Sequence, residues 1–182
     1  ATHHALVFEN ADSNNFLYAM NQIPESYQAG KHKIIVPEFI ANHLPVAERI
    51  GNKYYELLNA SHGAGSANFP QDTDGIIRRA PTAIFLKGPK KVFPSLVLSA
   101  VKDILKIPND GFEYDFDNYV LSLRNENGDI VRQIPIDDQG RMYVNYYGLF
   151  KTFYYIPYMY AFDQEMLDPS YWDGKVALVG AS

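Results

Sequence analysis

Lys175-Val176-Ala177-Leu178-Val179-Gly180-Ala181-Ser182 closes the 182-residue chain with an almost unbroken apolar run. A strand with one face in water alternates polar and apolar residues, whereas a strand covered on both faces reads as a continuous run. The run therefore predicts a central strand, and a central strand needs helices or more sheet on each side. In open α/β sheets, ligands tend to sit in the loop just after such a strand's carboxyl end, so the chain is expected to be a piece of a longer protein cut at that point.

Upstream, Tyr119 to Leu123 and Ile130 to Ile134 alternate apolar and polar residues around Asn127-Gly128, a pair that tolerates the positive φ of a tight hairpin turn. A second hairpin is predicted from Ile134-Pro135-Ile136 and Met142 to Tyr146, which flank the turn-forming Asp137 to Arg141. Thr82 to Leu86 reads as a strand, Lys87-Gly88-Pro89-Lys90 as a turn, and Ser95 as the start of a helix. That helix carries two apolar stripes, Leu96, Ala100, Ile104 and Val97, Val101, Leu105, and is expected to be buried on two sides. Ile34-Ile35-Val36 predicts a strand ended by Pro37. Helical spacing runs from Asp12 or Ser13 to Ile23-Pro24, and again over Pro45 to Leu58. Asn59 to Asn68, rich in small residues, reads as a loop. The expected fold class is α/β: a mixed β-sheet flanked by helices, ending in a central apolar strand, with one or two β-hairpins.

Composition narrows the function. The chain is 47% hydrophobic and 20% charged, enough apolar material for one globular core, with no repeat or linker that would cut residues 1–182 into two domains. A net charge of -5 disfavours nucleic acid as a partner. The absence of cysteine removes disulfides, thiolate nucleophiles and Cys-ligated zinc.

Asp72 and Asp74 lie beside Gly75, and clustered oxygens in a tight loop suit hard cations. With Gly75 at the sixth place of a calcium-hand loop, the first and twelfth places fall on Pro70 and Pro81, so that pattern fails. The two aspartates are expected to stabilise a turn, with a metal ion or another ligand as the alternatives. Arg78 and Arg79 follow at once, and a guanidinium near two carboxylates makes an internal ion pair or an anion site. If residues 76–79 are extended, the two arginines face opposite sides, and at most one points at the aspartate turn. Gly63 to Asn68 lacks the third glycine of a dinucleotide fingerprint, and the five histidines have no metal-ligand spacing. No catalytic residue, metal or cofactor is assigned. Aromatic residues crowd the stretch from Tyr143 to Trp172, where they suit core packing, a dimer interface or glycan stacking.

Taken in order, several segments resemble the cyclase/histidine-kinase-associated sensory extracellular domain of the second type, the CHASE family's class two. The densest match is Gly65 to Pro81, similar to the family's Gly-x-x-Asn followed by Asp-x-Asp-Gly-x-x-Arg-Arg-x-Pro. Phe93-Pro94-Ser95-Leu96 resembles its helix entry, Ile134-Pro135-Ile136-Asp137 with Gly140 and Val144 to Gly148 its strand pair, and Gly174 to Ser182 its closing strand. Tyr147 stands where the family often has Arg. The opening strand and the Asp-rich, Trp-Pro-containing segment of the family are not matched, nor are the loop and membrane helices that follow its last strand, so a domain truncated at both ends is expected.

The resemblance implies an extracytoplasmic sensor, periplasmic or extracellular. It would be tethered to the membrane by its parent and would signal to a cytoplasmic nucleotide cyclase or kinase, without being an enzyme itself. Its partner would be a small-molecule or environmental ligand, with a homodimer also open. The residues expected to meet the ligand are Asn68, Asp72, Asp74, Arg78 and Arg79. The alternative is an aromatic-rich glycan-binding or adhesive module on the cell surface.

Overall fold

The computed structural model describes residues 3–6, 8–9, 33–50, 60–87, 90–149, 152–157, 159–160 and 168–179. The chain divides into two compact units, Ala1–Val144 and Asn145–Ser182. In chain order the strands are β1 (His3–Leu6), β2 (Phe8–Glu9), β3 (Val46–Ala47), β4 (Arg49–Ile50), β5 (Gly63–Ser66) and β6 (Arg79–Pro81). They continue as β7 (Ala83–Leu86), β8 (Lys91–Pro94), β9 (Phe112–Asp115), β10 (Val120–Arg124), β11 (Ile130–Pro135) and β12 (Arg141–Tyr143). Among the described residues, the α-helix α1 spans Leu96–Ile104. The described residues are thus α/β but mostly sheet, and the strands form five small sheets. One of these is mixed, with β3 parallel and β8 antiparallel to β7. Helices on both faces of a large sheet do not occur among the described residues.

Where local signals were strong, the elements stand where the residues place them. Ser95 caps α1, its hydroxyl accepting the Leu98 N–H at 3.1 Å. The β7–β8 turn closes through Lys90 N–H to Lys87 C=O. β10 and β11 form the expected hairpin. Its turn differs in detail from a two-residue one: Asn125 Oδ1 accepts the Asn127 and Asp129 N–H groups, and Gly128 takes the positive φ, 84°.

Seven expectations need correction or restriction. Asn59 to Asn68 is not all loop, because Gly63–Ser66 is β5, a buried strand parallel to β1. A Cβ on Gly65 would lie 2.5 Å from backbone atoms of Ser95 and Leu96, so this strand is small because α1's first turn rests on it. The helix predicted over Pro45 to Leu58 does not begin as one: Val46–Ala47 and Arg49–Ile50 pair with β7 and β2, and residues 51–58 lie outside the described residues. Pairing in sheets captured the β-branched Val46 and Ile50 despite their helical spacing. The turn predicted at Asp137 to Arg141 forms, but its flanks do not pair as a second hairpin: β11 pairs with β10, and β12 pairs with β6. Helix α1 is buried along Leu98 and Ser99, while Val97 and Ile104 are exposed, so one side is covered rather than two. Lys175–Val179 is exposed and joins no strand among the described residues, and residues 180–182 lie outside them. An apolar run states a need for burial, but strand formation also needs a neighbouring edge with free N–H and C=O groups. The strand predicted at Ile34 is a single bridge to Val92, followed by a 3-10 helix, Glu38–Asn42. The helix predicted after Asp12 lies outside the described residues.

The core of the first unit gathers Ile40, Leu44, Val92, Leu98, Phe112, Leu121 and Leu123 between α1, β8 and the β9–β10–β11 sheet. At its edge, Thr82 separates β6 from β7. The buried Thr82 hydroxyl donates to Gly140 C=O at 2.6 Å and meets the Tyr114 hydroxyl at 2.9 Å. This contact fixes the Asp72 to Pro81 segment against the Asp137 to Gly140 turn.

Candidate functional site

The aspartate turn is built by its backbone. Gly75 N–H donates to Asp72 C=O at 2.8 Å and Asp72 N–H to Ile76 C=O at 3.0 Å, with Gly75 at φ 80°. A Cβ at Gly75 would meet nothing within 4 Å, so the backbone angle alone demands glycine there. Asp74 Oδ1 also accepts the Ile76 N–H at 3.2 Å, which locks the carboxylate over the turn.

Arg78 reaches back onto this turn as a fork: Nη1 to Asp74 Oδ1 at 2.9 Å and Nη2 to Asp74 Oδ2 at 2.7 Å. Its Nη1 also stands 3.4 Å from Asp72 Oδ2. Arg79 places Nη2 3.5 Å from Asp72 Oδ1 and Nη1 3.2 Å from Asp137 Oδ2. Both arginines therefore reach Asp72, contrary to the opposite-sides expectation. Ile76 to Arg78 is not strand, since β6 starts only at Arg79, and the long guanidinium arms converge on one carboxylate.

The chain of charges continues inward. Arg141 donates Nε and Nη2 to Asp137 Oδ2, each at 2.8 Å. Asp137 Oδ1 accepts the Gln139 and Arg141 amides at 3.0 and 2.9 Å. Three arginines thus alternate with three aspartates, Asp74-Arg78-Asp72-Arg79-Asp137-Arg141, and their formal charges cancel. The outer pair is open to solvent, with Arg78 and Asp74 side chains 45% and 51% exposed. The inner pair is not, with Asp137 and Arg141 at 14% and 16%.

These contacts set the proton affinities. The Arg78 fork and the Ile76 amide hold the Asp74 carboxyl down at about 2. Burial on its own would push the Asp137 carboxyl up, but two amides and two guanidinium groups outweigh it and hold it below the ordinary carboxylate range. The Asp74 carboxylate raises Arg78, and that of Asp137 raises Arg79.

Of the five residues singled out from sequence, Asp72, Asp74, Arg78 and Arg79 come together in this chain. Asn68 sits just past β5, where its N–H donates to Ser66 Oγ at 3.2 Å. Sequence reasoning missed Asp137, Arg141 and Tyr143, whose ring lies 5.8 Å from the Arg79 guanidinium. Asp137 and Arg141, four residues apart in a turn, were the available signal; their link to Arg79, 58 residues away, had none. Among the described residues, no group of three or more His, Cys, Asp or Glu side chains is placed to hold a metal ion. No helix among them is long and apolar enough to cross a membrane.

In the second unit, Phe153 meets Tyr147 edge-on at 6.4 Å, and Thr152, Phe153, Tyr154, Tyr155 and Pro157 line a shallow recess. Asp168 caps the 3-10 helix Pro169–Trp172, accepting the Ser170 N–H at 2.9 Å. Lys175 Nζ lies over the Tyr171 ring at 4.3 Å and donates to the Tyr171 carbonyl. Phe150, Tyr158 and Phe162 lie outside the described residues.

The sequence pattern of one protein family, described as CHASE2 domain, matches residues 5–182. No curated protein and no solved structure matches the chain.

Proposed function

The chain belongs to the CHASE2 domain family of extracellular sensory domains found in signalling receptors, and on that basis we propose that it detects a small-molecule or environmental ligand at the Asp72–Arg79 turn. The receptor would be tethered to the membrane and would carry a nucleotide cyclase or a kinase on the cytoplasmic side, with residues 1–182 acting as one sensory domain. The family role is sensory rather than catalytic. The observation that carries the ligand site is the exposed Arg78–Asp74 fork at the outer end of a neutral chain of charges whose inner end is shielded. A ligand with ionic groups can exchange with the outer pair, and the remaining charges then rearrange. Any signal is bounded by the ligand's difference in affinity between the two arrangements.

The test is native against denaturing mass spectrometry of the chain purified from its host, read for a non-covalent adduct and for dimer in one spectrum. The site predicts an adduct lost on denaturation and absent from a folded Arg78→Ala variant. An adduct retained by that variant would move the site elsewhere.

A second reading is favoured by Phe153 and Tyr154, 74% and 85% exposed beside the recess of the second unit: a glycan stacked on these rings. Retention on immobilised sugars, lost in Tyr154→Ala with folding intact, would select it.

A further inference from the structure

Strands β6 and β12 pair over three residues each, with Pro81 opposite Arg141, Ala80 opposite Met142 and Arg79 opposite Tyr143. Thr82 N–H to Gly140 C=O at 3.1 Å and Val144 N–H to Arg78 C=O at 2.9 Å extend the ladder at its two ends. Bonded and non-bonded pairs alternate along an antiparallel ladder, which assigns Pro81 and Arg79 to non-bonded positions. Pro81 therefore forfeits no hydrogen bond, and Tyr143 lies where opposite side chains come closest, over the Arg79 guanidinium.

A two-stranded ladder this short is marginal in water without side-chain support. One carboxylate supplies that support: Asp137 Oδ2 holds Arg79 of β6 at 3.2 Å and Arg141 of β12 at 2.8 Å. Arg79 is held on both sides, since its Nη1 goes to Asp137 and its Nη2 faces Asp72. Its buried Nε–H has no hydrogen-bond partner among the described residues. An uncompensated buried donor favours any arrangement that pairs it, and Arg79 turned fully onto Asp72 would present Nε and Nη2 to that carboxylate together. What opposes the turn is the claim of Arg78 on the same carboxylate, at 3.4 Å.

We propose that Arg79 is a catch for β12: loss of the Arg78–Asp72 contact draws Arg79 onto Asp72 and away from Asp137, and β12 then parts from β6, freeing the chain at Val144, where the first unit ends. The proposal rests on the reading of Asp72, Asp74, Arg78 and Arg79 as the ligand site, because a ligand that engages Arg78 removes that contact.

Amide hydrogen exchange at Met142 and Val144 tests the catch without any ligand. Asp137→Asn keeps the Oδ1 acceptor of the turn but removes the charge, and is expected to speed exchange at both amides by about tenfold, with Leu121 and Leu123 of β10 unchanged. Arg78→Gln, which imitates capture of Arg78, is expected to speed the same two amides severalfold, and adding Asp72→Asn is expected to return them to the wild-type rate. Unchanged exchange at Met142 and Val144 in Asp137→Asn, or an equal rise in β10, would overturn the catch. A rise in Asp137→Asn with none in Arg78→Gln would overturn its link to the turn. Failure of the adduct measurement above would instead remove the ligand site and leave these rates standing.

Discussion

Replacing Thr82 by Val tests the buried junction that holds the aspartate turn in place. The change keeps the side chain's shape and deletes one hydroxyl, which donates to Gly140 C=O at 2.6 Å and meets the Tyr114 hydroxyl at 2.9 Å. Gly140 C=O keeps a partner, because the backbone N–H of residue 82 also donates to it at 3.1 Å. The Tyr114 hydroxyl is buried, and burial raises its proton affinity against the effect of the Thr82 bond. Stranding it costs about 1–3 kcal/mol. Tyr114→Phe removes the other partner and leaves Thr82 bonded to Gly140, so its cost is one neutral hydrogen bond, about 0.5–1.5 kcal/mol. With both changes nothing polar is stranded. The double variant is therefore expected to lose less than the two singles together, by about 1 kcal/mol or more. Urea unfolding of the four proteins, followed by two spectroscopic probes, measures the cycle. Losses that add to within about 0.3 kcal/mol would show that the two hydroxyls do not depend on each other and would refute the coupled junction.

Three further outcomes follow from single sites. The Asp74 carboxyl is expected to titrate near 2 by NMR and to return toward the ordinary range in Arg78→Ala. Because its folded value lies below its unfolded one, the pair stabilises fully above the unfolded value of 3.8 and its contribution is lost as pH falls through about 2; an unshifted midpoint would refute the fork in solution. Gly65→Ala places a Cβ 2.5 Å from the backbone of Ser95 and Leu96, and a thermal melt should show a loss of about 3 kcal/mol, whereas a wild-type melt would separate β5 from α1. Tyr119 holds φ 55° with its side chain exposed, so Tyr119→Gly relieves about 1–2 kcal/mol of backbone strain against about 0.4–1 kcal/mol of added unfolded-state freedom. A small net gain in the urea midpoint is expected, and a loss would show that the ring makes contacts that matter.

What could be read from the chain alone was local. Ser95 before an apolar stretch announces a helix start, Asn127-Gly128 between alternating strands announces a hairpin, and Asp72 to Gly75 announces a turn. Each of these is decided by atoms within a few residues of one another. The aspartates and arginines of residues 72–79 were legible as a cluster for the same reason. Other features depended on partners distant in sequence. Gly63 to Ser66 looks like loop until α1 is laid against it, and Val46 to Ile50 looks helical until β7 and β2 offer edges to pair with. The run from Lys175 announces a need for cover without naming what provides it. Asp137 reads as one more turn aspartate, and only the tertiary structure makes it the carboxylate that joins β6 to β12, because a charge pair 58 residues apart leaves no periodicity, spacing or propensity in the sequence. Sequence alone determined which short segments turn, cap or pair with their neighbours; packing decided which distant edges and charges meet, since long-range contacts depend on the whole chain's arrangement rather than on local torsional preference.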